Sequence, residues 1–384
     1  MRIEIHVLQN VAPANLNRDD TNSPKDAIFG GYRRARLSSQ SQKRAVRLRF
    51  EEHLTEDDRA LRTKRLLERI AEILVQKGKD PVTAGAVART ALEGLGLAFD
   101  EKGLSQYLLF LGNREIEHLA GVILEHWETL EGLAGEEVEG SGKERKKKAK
   151  AKVPDAVKKA LEAVLDGGRA VDLALFGRML ADRPEWNVDA AAQVAHAIST
   201  HKVDREFDFY TAVDDLNPKE ETGAGMMGDV EFYSATLYRY AQVDMDKLLE
   251  NLQEDKDLAL RGLEAFLRTF PRTLPSGKQN TFAAHNEPDF IAVVVKDGAP
   301  RNLANAFLKP VRVSRHHPDD DLMENSVENL TRYWKKLDGA YGQDGETFYL
   351  NLSEARPDFA SRPVGSFEEL VSKALKSVRD RLGE

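Results

Sequence analysis

The sequence predicts an α+β fold interrupted by a large helical insertion. Three observations carry that expectation. At the start of the chain Ile3, Ile5 and Val7 alternate with Glu4 and His6, the pattern of a strand with one buried face. Between about Glu56 and Asp189, apolar residues recur every three or four positions in LLERIAEILVQKG, VARTALEGLG and VKKALEAVLDGG, the period of amphipathic helices. Aromatic and β-branched residues then return in FDFYTAVDDL and DVEFYSATLYRYAQVDM, on either side of a Gly-rich polar turn, which reads as a long hairpin. At 384 residues the chain exceeds a typical compact domain, so one main fold with an insertion, or two domains, is expected.

In chain order, a strand over residues 2 to 9 leads into a loop from about Asn10 to Leu37 that holds two prolines and the Gly30-Gly31 pair. Next, SSQSQKRAVRLRFEEHL offers Ser38, Ser39 or Ser41 as the N-cap of a helix. The inserted helical region contains GEEVEGSGKERKKKAKAKVP, a composition that cannot bury a core. Beyond the hairpin, helices are expected over Met245 to Phe270, about Leu322 to Leu337, and Phe367 to Leu382, with strands at DFIAVVVK and ETFYLNLS. No internal repeat has a fixed period, so any repetition must come from assembling copies.

Composition narrows the function. Hydrophobic residues make up 41% and charged residues 31%, the balance of a soluble globular protein. No apolar run approaches the roughly 20 residues that span a bilayer, and MRIEIHVLQN lacks a basic leader, so a cytoplasmic protein with no membrane partner is expected. Zero cysteines exclude disulfides, thiol nucleophiles and Cys-containing zinc sites. The net charge of −8 argues against nucleic acid, but its distribution argues the other way. From Arg33 to Arg49 the bases are broken by no acid, and Lys143 to Lys152 holds seven bases against one Glu. Local positive potential on an acidic body suits a polyanion binder that also packs against copies of itself.

The stretch LNRDDTNSPKDAIFGGYRRARLSSQSQKRA (Leu16 to Ala45) closely resembles the CasC family, the backbone subunit of the type I-E CRISPR surveillance complex, Cascade. The resemblance resumes at ALFGRM (Ala174 to Met179), AHAISTHKVD (Ala195 to Asp204), TAVDDL (Thr211 to Leu216), EFYSATLYRYAQVD (Glu231 to Asp244) and LANAF (Leu303 to Phe307). It implies a right-hand-like protomer: an RRM or ferredoxin-like palm, helical fingers and a protruding β-hairpin thumb. The palm would take residues 1–55 and 241–384, the fingers 56–190 and the thumb 191–240. The usual RRM signature is absent, so the palm rests on resemblance alone. Such subunits stack head to tail along a CRISPR RNA (crRNA), a heterologous contact that generates a helical filament. The implied partners are crRNA, target DNA, further copies and other Cascade subunits; no cofactor, metal or catalytic residue is expected.

Lys43, Arg44, Arg47 and Arg49 fall within two helical turns, with Lys43 and Arg47 at i and i+4, a geometry that can track a phosphate backbone. Ser38 and Gln40 lie near the helix start, where free N–H groups favour anions. By the resemblance, Arg18, Lys25, Ser38, Gln40, Lys43 and Arg47 hold the RNA backbone. The bland alternative is a solvated charged face, although such a face usually interleaves both signs. Met179 with Phe209, Tyr210, Thr211 and Val213 forms the second constellation, in which the family's thumb wedges bases apart; stacking and wedging are blind to sequence. Against it stands the reading that aromatics alternating along a strand are core, with one of Phe209 and Tyr210 facing inward.

Several signals are discounted. Gly223 to Gly228 spells GxGxxG, but a polar turn precedes it and a strand follows, so a dinucleotide site is not expected. His196 and His201, expected to flank the end of a helix, and the His316 to Asp321 run lack metal-ligand spacing; the aspartates after Pro318 read as a helix start near Leu322. A rival reading is a metal-dependent RNA-cleaving backbone with Asp26 as its acidic residue, although one carboxylate is a poor divalent site. A free-standing RNA chaperone is a third reading, one that predicts monomeric binding to any single strand.

Lys146, Lys147, Lys148 and Lys150 are either a solubility tail or a track that holds duplex DNA nonspecifically. Replacing Lys146, Lys147 and Lys148 with Glu is expected to weaken duplex binding while sparing guide binding. The log-log salt slope should then fall by about 0.9 for each phosphate that is no longer neutralised. An unchanged slope in filter-binding titrations returns the segment to a solubility role.

Overall fold

The computed structural model describes residues 1–134, 152–165, 169–180, 183–212, 226–314 and 320–383. They form two compact units: Met1–Phe50 with Ala192–Met245 and Leu263–Glu384, and Glu51–Ala191 with Asp246–Gly262. The strands, in chain order, are β1 (Arg2–Ala14), β2 (Asp26–Phe29), β3 (Tyr32–Leu37), β4 (Ala60–Thr63), β5 (Leu109–Gly112), β6 (Ala192–Val194), β7 (Ala197–Ser199), β8 (Glu206–Ala212), β9 (Met226–Asp244), β10 (Phe290–Lys296), β11 (Glu346–Asn351) and β12 (Arg362–Pro363).

The first unit is built on one sheet in the order β12-β11-β10-β1-β9-β7-β3-β2. Strand β1 lies antiparallel between β10 and β9, with Ile5 opposite both Val293 and Ala241. Helix α1 (Ser39–Arg49) precedes β6 and β7, and the helix Lys256–Arg272 lies between β9 and β10 in sequence. The series β1, α1, β6/β7, β9, helix, β10 in the spatial order β10-β1-β9-β7 is the RRM or ferredoxin-like βαββαβ arrangement. The chain is thus α+β with an RRM-like palm and a helical insertion. The connection from β7 to β9 is extended outward: β8 pairs with the first part of β9, from Glu206 opposite Phe232 to Ala212 opposite Met226.

Three sequence expectations change here. The region from Asn10 to Leu37 is not one loop. Strand β1 runs on to Ala14, and β2 and β3 form a hairpin with Phe29 opposite Tyr32, turned by Gly30 and Gly31 at φ +60° and +82°. A side chain on Gly30 would also collide with the Leu308 carbonyl. His196 and His201 flank no helix: the Ala-rich segment pairs with β3 and β9 as β6 and β7, because sheet partners outweigh helix propensity. The helix expected from Met245 to Phe270 is two, Met245–Asn251 and Lys256–Arg272, with Gln253 and Glu254 at positive φ between them.

Strand β1 is also not half-buried; both its faces are covered. Leu8, Tyr238, Tyr240, Phe290, Ala292 and Val294 pack beneath Phe307, Leu330 and Trp334, the last two on the helix Leu322–Tyr341. On this face the carboxylate of Glu4 lies 3.0 Å from the Lys296 ammonium, 3.8 Å from His6 Nε2, and accepts from the Tyr240 hydroxyl at 2.9 Å and from the Arg301 N–H. Burial alone would raise the Glu4 pKa. The neighbouring His6, then Lys296 and the Arg301 N–H, outweigh it and hold Glu4 at about 2.

The second unit is mainly helical. Leu66–Gln76, Pro81–Gly94, Asn113–Glu125, Trp127–Leu133, Asp155–Ala163 and Val171–Phe176 accompany a two-stranded sheet of β4 and β5. Its core gathers Ile70, Leu74, Val87, Leu119, Ile123, Leu161 and Trp186. Within it, Asp58 accepts from Arg114 at 3.0 Å and from Arg261 at 2.7 Å. Among the described residues no helix is long and apolar enough to cross a membrane.

Because the Glu4 pKa is depressed on folding, its contribution is present above pH 4.5 and is lost as pH falls from there towards 2. Glu4→Gln leaves Lys296 without its counter-charge and is expected to destabilise by about 3–5 kcal/mol near neutral pH. Chemical denaturation at several pH values should show the gap between wild type and variant narrowing as pH falls from 4.5 and closing only towards pH 2.

Candidate nucleic-acid interface

Helix α1 begins where the sequence allows, with Ser38 as N-cap at φ −68° and ψ 147°, its hydroxyl accepting from the Ser41 N–H at 3.3 Å. Ser38 is buried, and its own N–H donates to the Asn17 side chain at 2.8 Å, which ties the helix start to the loop after β1. Gln42, Val46 and Phe50, spaced by four, face the core. The remaining positions turn outward: Gln40 and Arg44 are exposed, and Lys43 and Arg47 are half-buried beside them. Burial pushes the Lys43 ammonium below its ordinary pKa.

Two buried side chains seat this helix. Gln42 donates to the Ala195 carbonyl at 3.0 Å and to the Leu37 carbonyl at 3.4 Å, and it accepts from Arg239 Nε at 3.2 Å. Arg239, on β9, also donates to Gln9 on β1 and to the carbonyls of Phe270, Pro271 and Thr273 at 2.6 to 2.9 Å. Burial pushes its pKa down to about 9. Arg34, inside the same basic run, is equally buried: it donates to the carbonyls of Ser199, Thr200 and Phe307 at 3.1, 2.8 and 2.6 Å. The run therefore divides between structural and outward-facing cations.

A second basic group meets the start of α1. His196 Nδ1 accepts from the Ser39 N–H at 3.3 Å and lies 3.5 Å from the Arg36 guanidinium. Burial, then the charges of Arg36 and Lys25, push its pKa below the ordinary imidazole value, so it stays neutral as an acceptor at pH 7. Lys25 is fixed through its backbone, donating to Asn17 at 2.9 Å and accepting from Arg36 at 3.0 Å. Arg18 is exposed and donates to Asn22 at 3.3 Å. These placements bring Arg18, Lys25, Ser38, Gln40, Lys43, Arg44 and Arg47 onto one unit, along α1 and in the loop tied to its start.

The ribbon of β8 and the first part of β9 supplies the apolar component. Every residue of β8 is exposed. Phe207, Phe209 and Thr211 share one face with Met227, and the two phenylalanines and Met227 are 64%, 66% and 67% exposed. Tyr210, 40% exposed, lies on the other face, its ring across Gly228, where a Cβ would come 2.5 Å from the phenol oxygen. This corrects the expectation that one of Phe209 and Tyr210 faces inward. They do alternate, but a two-stranded ribbon has no core behind it. Gly228 lies within β9 and opens no helix, as expected for a false dinucleotide match. Val213 and Lys146, Lys147, Lys148 and Lys150 lie outside the described residues.

Met179 belongs to the second unit and is 87% exposed. Its neighbour Arg178 is buried, 3.0 Å from Glu115, and donates to the Trp186, Phe110 and Leu165 carbonyls. Gly177, at φ +77°, makes the turn that presents them. An exposed thioether is thus carried on a rigid mount.

A family model described as CT1975-like protein matches residues 3–373. The chain belongs to that family. A comparison with curated protein sequences found no match. Among solved structures, one chain described as CRISPR RNA-guided surveillance complex, pre-nicking, is 32% identical with a TM-score of 0.82, covering 97% of this chain and 100% of its own. Another, described as CRISPR RNA-guided surveillance complex, is 27% identical with a TM-score of 0.74, covering 98% and 100%. The resemblance to a CRISPR backbone subunit, first carried by residues 16–45 and the later segments, is borne out.

Sequence reasoning missed the residues that aim the interface: Asn17, Arg36, Gln42, His196 and Arg239. Gln42 had a readable signal, a polar side chain on the apolar stripe of α1. Gln42→Ala removes the acceptor of Arg239 and the donor to two carbonyls, and is expected to cost about 1–3 kcal/mol in urea unfolding.

Proposed function

We propose that the chain is the repeated crRNA-binding backbone subunit of a type I-E Cascade complex, polymerising head to tail along the guide without cutting nucleic acid. One observation carries this most directly. The basic α1 surface and an exposed aromatic ribbon share the first unit, whereas the opposite sheet face, where RRM aromatics stack on bases, is sealed by the helix Leu322–Tyr341. Arg18, Lys25, Gln40, Lys43, Arg44 and Arg47 meet phosphate and sugar, with Ser38 setting the helix start. Phe209, Tyr210 and Thr211, with Val213, divide the guide into short groups of bases, and Met179 adds an apolar contact. Target DNA then pairs with those groups, so that specificity in antiviral defence comes from the guide and not from the protein. Other Cascade subunits would cap the filament.

The geometry of Asp26 bears on the cleaving alternative. Its Oδ2 lies 3.1 Å from both Arg33 Nη1 and Arg205 Nη2, and these guanidiniums compete with a divalent ion for its lone pairs. Incubation with Mg²⁺ and complementary RNA separates the readings, because periodic cuts lost in Asp26→Ala would favour the enzyme.

Nuclease footprinting on a long CRISPR RNA is expected to show evenly repeated protection. Lys43→Glu with Arg47→Glu should reduce affinity at least tenfold at moderate salt, and the log-log salt slope should fall by about 1.4, at roughly 0.7 per phosphate on a single strand. Undiminished coating of RNA by the charge-reversed protein would overturn the proposal.

A further inference from the structure

Every residue of β8 is exposed, so the contacts that set the ribbon's direction lie at its foot. Arg205 stands there, immediately before β8. Its Nη2 lies 3.1 Å from Asp26 Oδ2 and its Nη1 lies 3.1 Å from Glu231 Oε2. Asp26 opens β2, next to Lys25 of the basic surface, and is held from the other side by Arg33. Glu231 sits on β9 opposite Phe207, inside the ribbon itself. The ion-pair relay Arg33–Asp26–Arg205–Glu231 therefore runs from the phosphate-facing hairpin into the ribbon. A parallel tie is neutral: Asn15, fully buried, donates to the Glu231 carbonyl at 2.9 Å and to the Asn22 carbonyl at 3.0 Å.

We propose that Arg205 is a positioning residue that fixes the angle between the basic surface and the aromatic ribbon, and so sets where along the guide the wedge falls. The inference rests on the backbone reading above. A planar guanidinium spanning two carboxylates fixes a direction as well as a distance, which a point charge cannot do. Leverage makes the angle consequential. Seven residues at roughly 3.3 Å each make an arm of about 20 Å, so a tilt of about 10° at the foot moves the tip by about 4 Å, comparable to one stacked base. Surface ion pairs add little stability, but here Arg205 and both its partners are about three-quarters buried, and Arg205 Nε is enclosed with no partner among the described residues. Such a relay holds geometry better than it adds stability.

The test uses the full chain assembled on a CRISPR RNA and reads two quantities, affinity by filter binding and the periodic pattern of base reactivity to a chemical probe. Arg205→Ala is expected to bind within about twofold of wild type while the peak-to-trough contrast of the pattern falls at least about threefold. Arg205→Lys, which keeps the charge without the planar fork and guards against misfolding, should give intermediate contrast. Full contrast in both variants overturns the inference. A parallel loss of affinity and contrast overturns it too, because Arg205 would then be an RNA ligand and not a positioning residue. If wild type itself shows no periodic pattern, the backbone reading fails first and this inference with it.

Discussion

The unit that carries the basic helix depends on the buried guanidinium of Arg239. It reaches β1 through Gln9, the end of the helix Lys256–Arg272 through three carbonyls, and the basic helix α1 through Gln42. No carboxylate is among these acceptors. The charge is offset by carbonyl dipoles at a helix C-terminus, where a cation is favoured, and by the Phe270 ring 4.8 Å below. Desolvation still lowers its pKa to about 9, leaving it protonated at neutral pH. One side chain thus joins two strands and two helices, and the cations of α1 inherit their placement from a residue on β9 that no solvent touches.

The same constraint leaves the face on which an RRM stacks bases closed in this chain. Tyr238 and Tyr240 alternate with Arg239, so they point to the opposite face, where an RRM would stack bases. There they are covered: Tyr238 donates or accepts with His6 Nδ1 at 2.9 Å, Tyr240 donates to Glu4, and Trp334 lies 4.7 Å from His6. Burial pushes both phenols up, which keeps them as hydrogen-bond donors inside the core. Aromatic residues that would stack on bases in an open sheet are structural here, and the exposed aromatics stand on a ribbon grown from the β7–β9 connection.

How much of this was legible follows from what local sequence encodes. Ser38 as cap, the α1 register and the late helices were readable, since capping and 3.6-residue periodicity are local properties; Asp321 does cap Leu322–Tyr341, accepting from Met323 and Glu324 at 2.7 and 2.9 Å. The hairpin β2–β3 was not, because its strands are short and its second is rich in Arg, whose β character comes from partners distant in sequence. Strand β1 was read as half-buried for a related reason: alternation reveals a polar face, but not that Lys296 and Tyr240 arrive to satisfy it. Arg34 and Lys43 stood as equal cations in one run. Only the three-dimensional path shows that Arg34 ends among carbonyls of residues 199, 200 and 307 while Lys43 turns outward.

A net charge of −8 fits this division of labour. Affinity of a protein for RNA comes largely from local phosphate neutralisation, so on the proposed reading a few outward cations would suffice if held at a fixed spacing. An overall basic protein would coat any nucleic acid indiscriminately, whereas an acidic body confines attraction to the loop and helix that carry Arg18, Lys25, Lys43, Arg44 and Arg47. Phosphate contacts of that kind, and the wedging proposed for Phe209 and Tyr210, would carry no base information. That blindness would suit a subunit that, as proposed, serves every guide. What remains for the fold to specify is geometry, which the buried bonds of Gln42 and Arg239 hold.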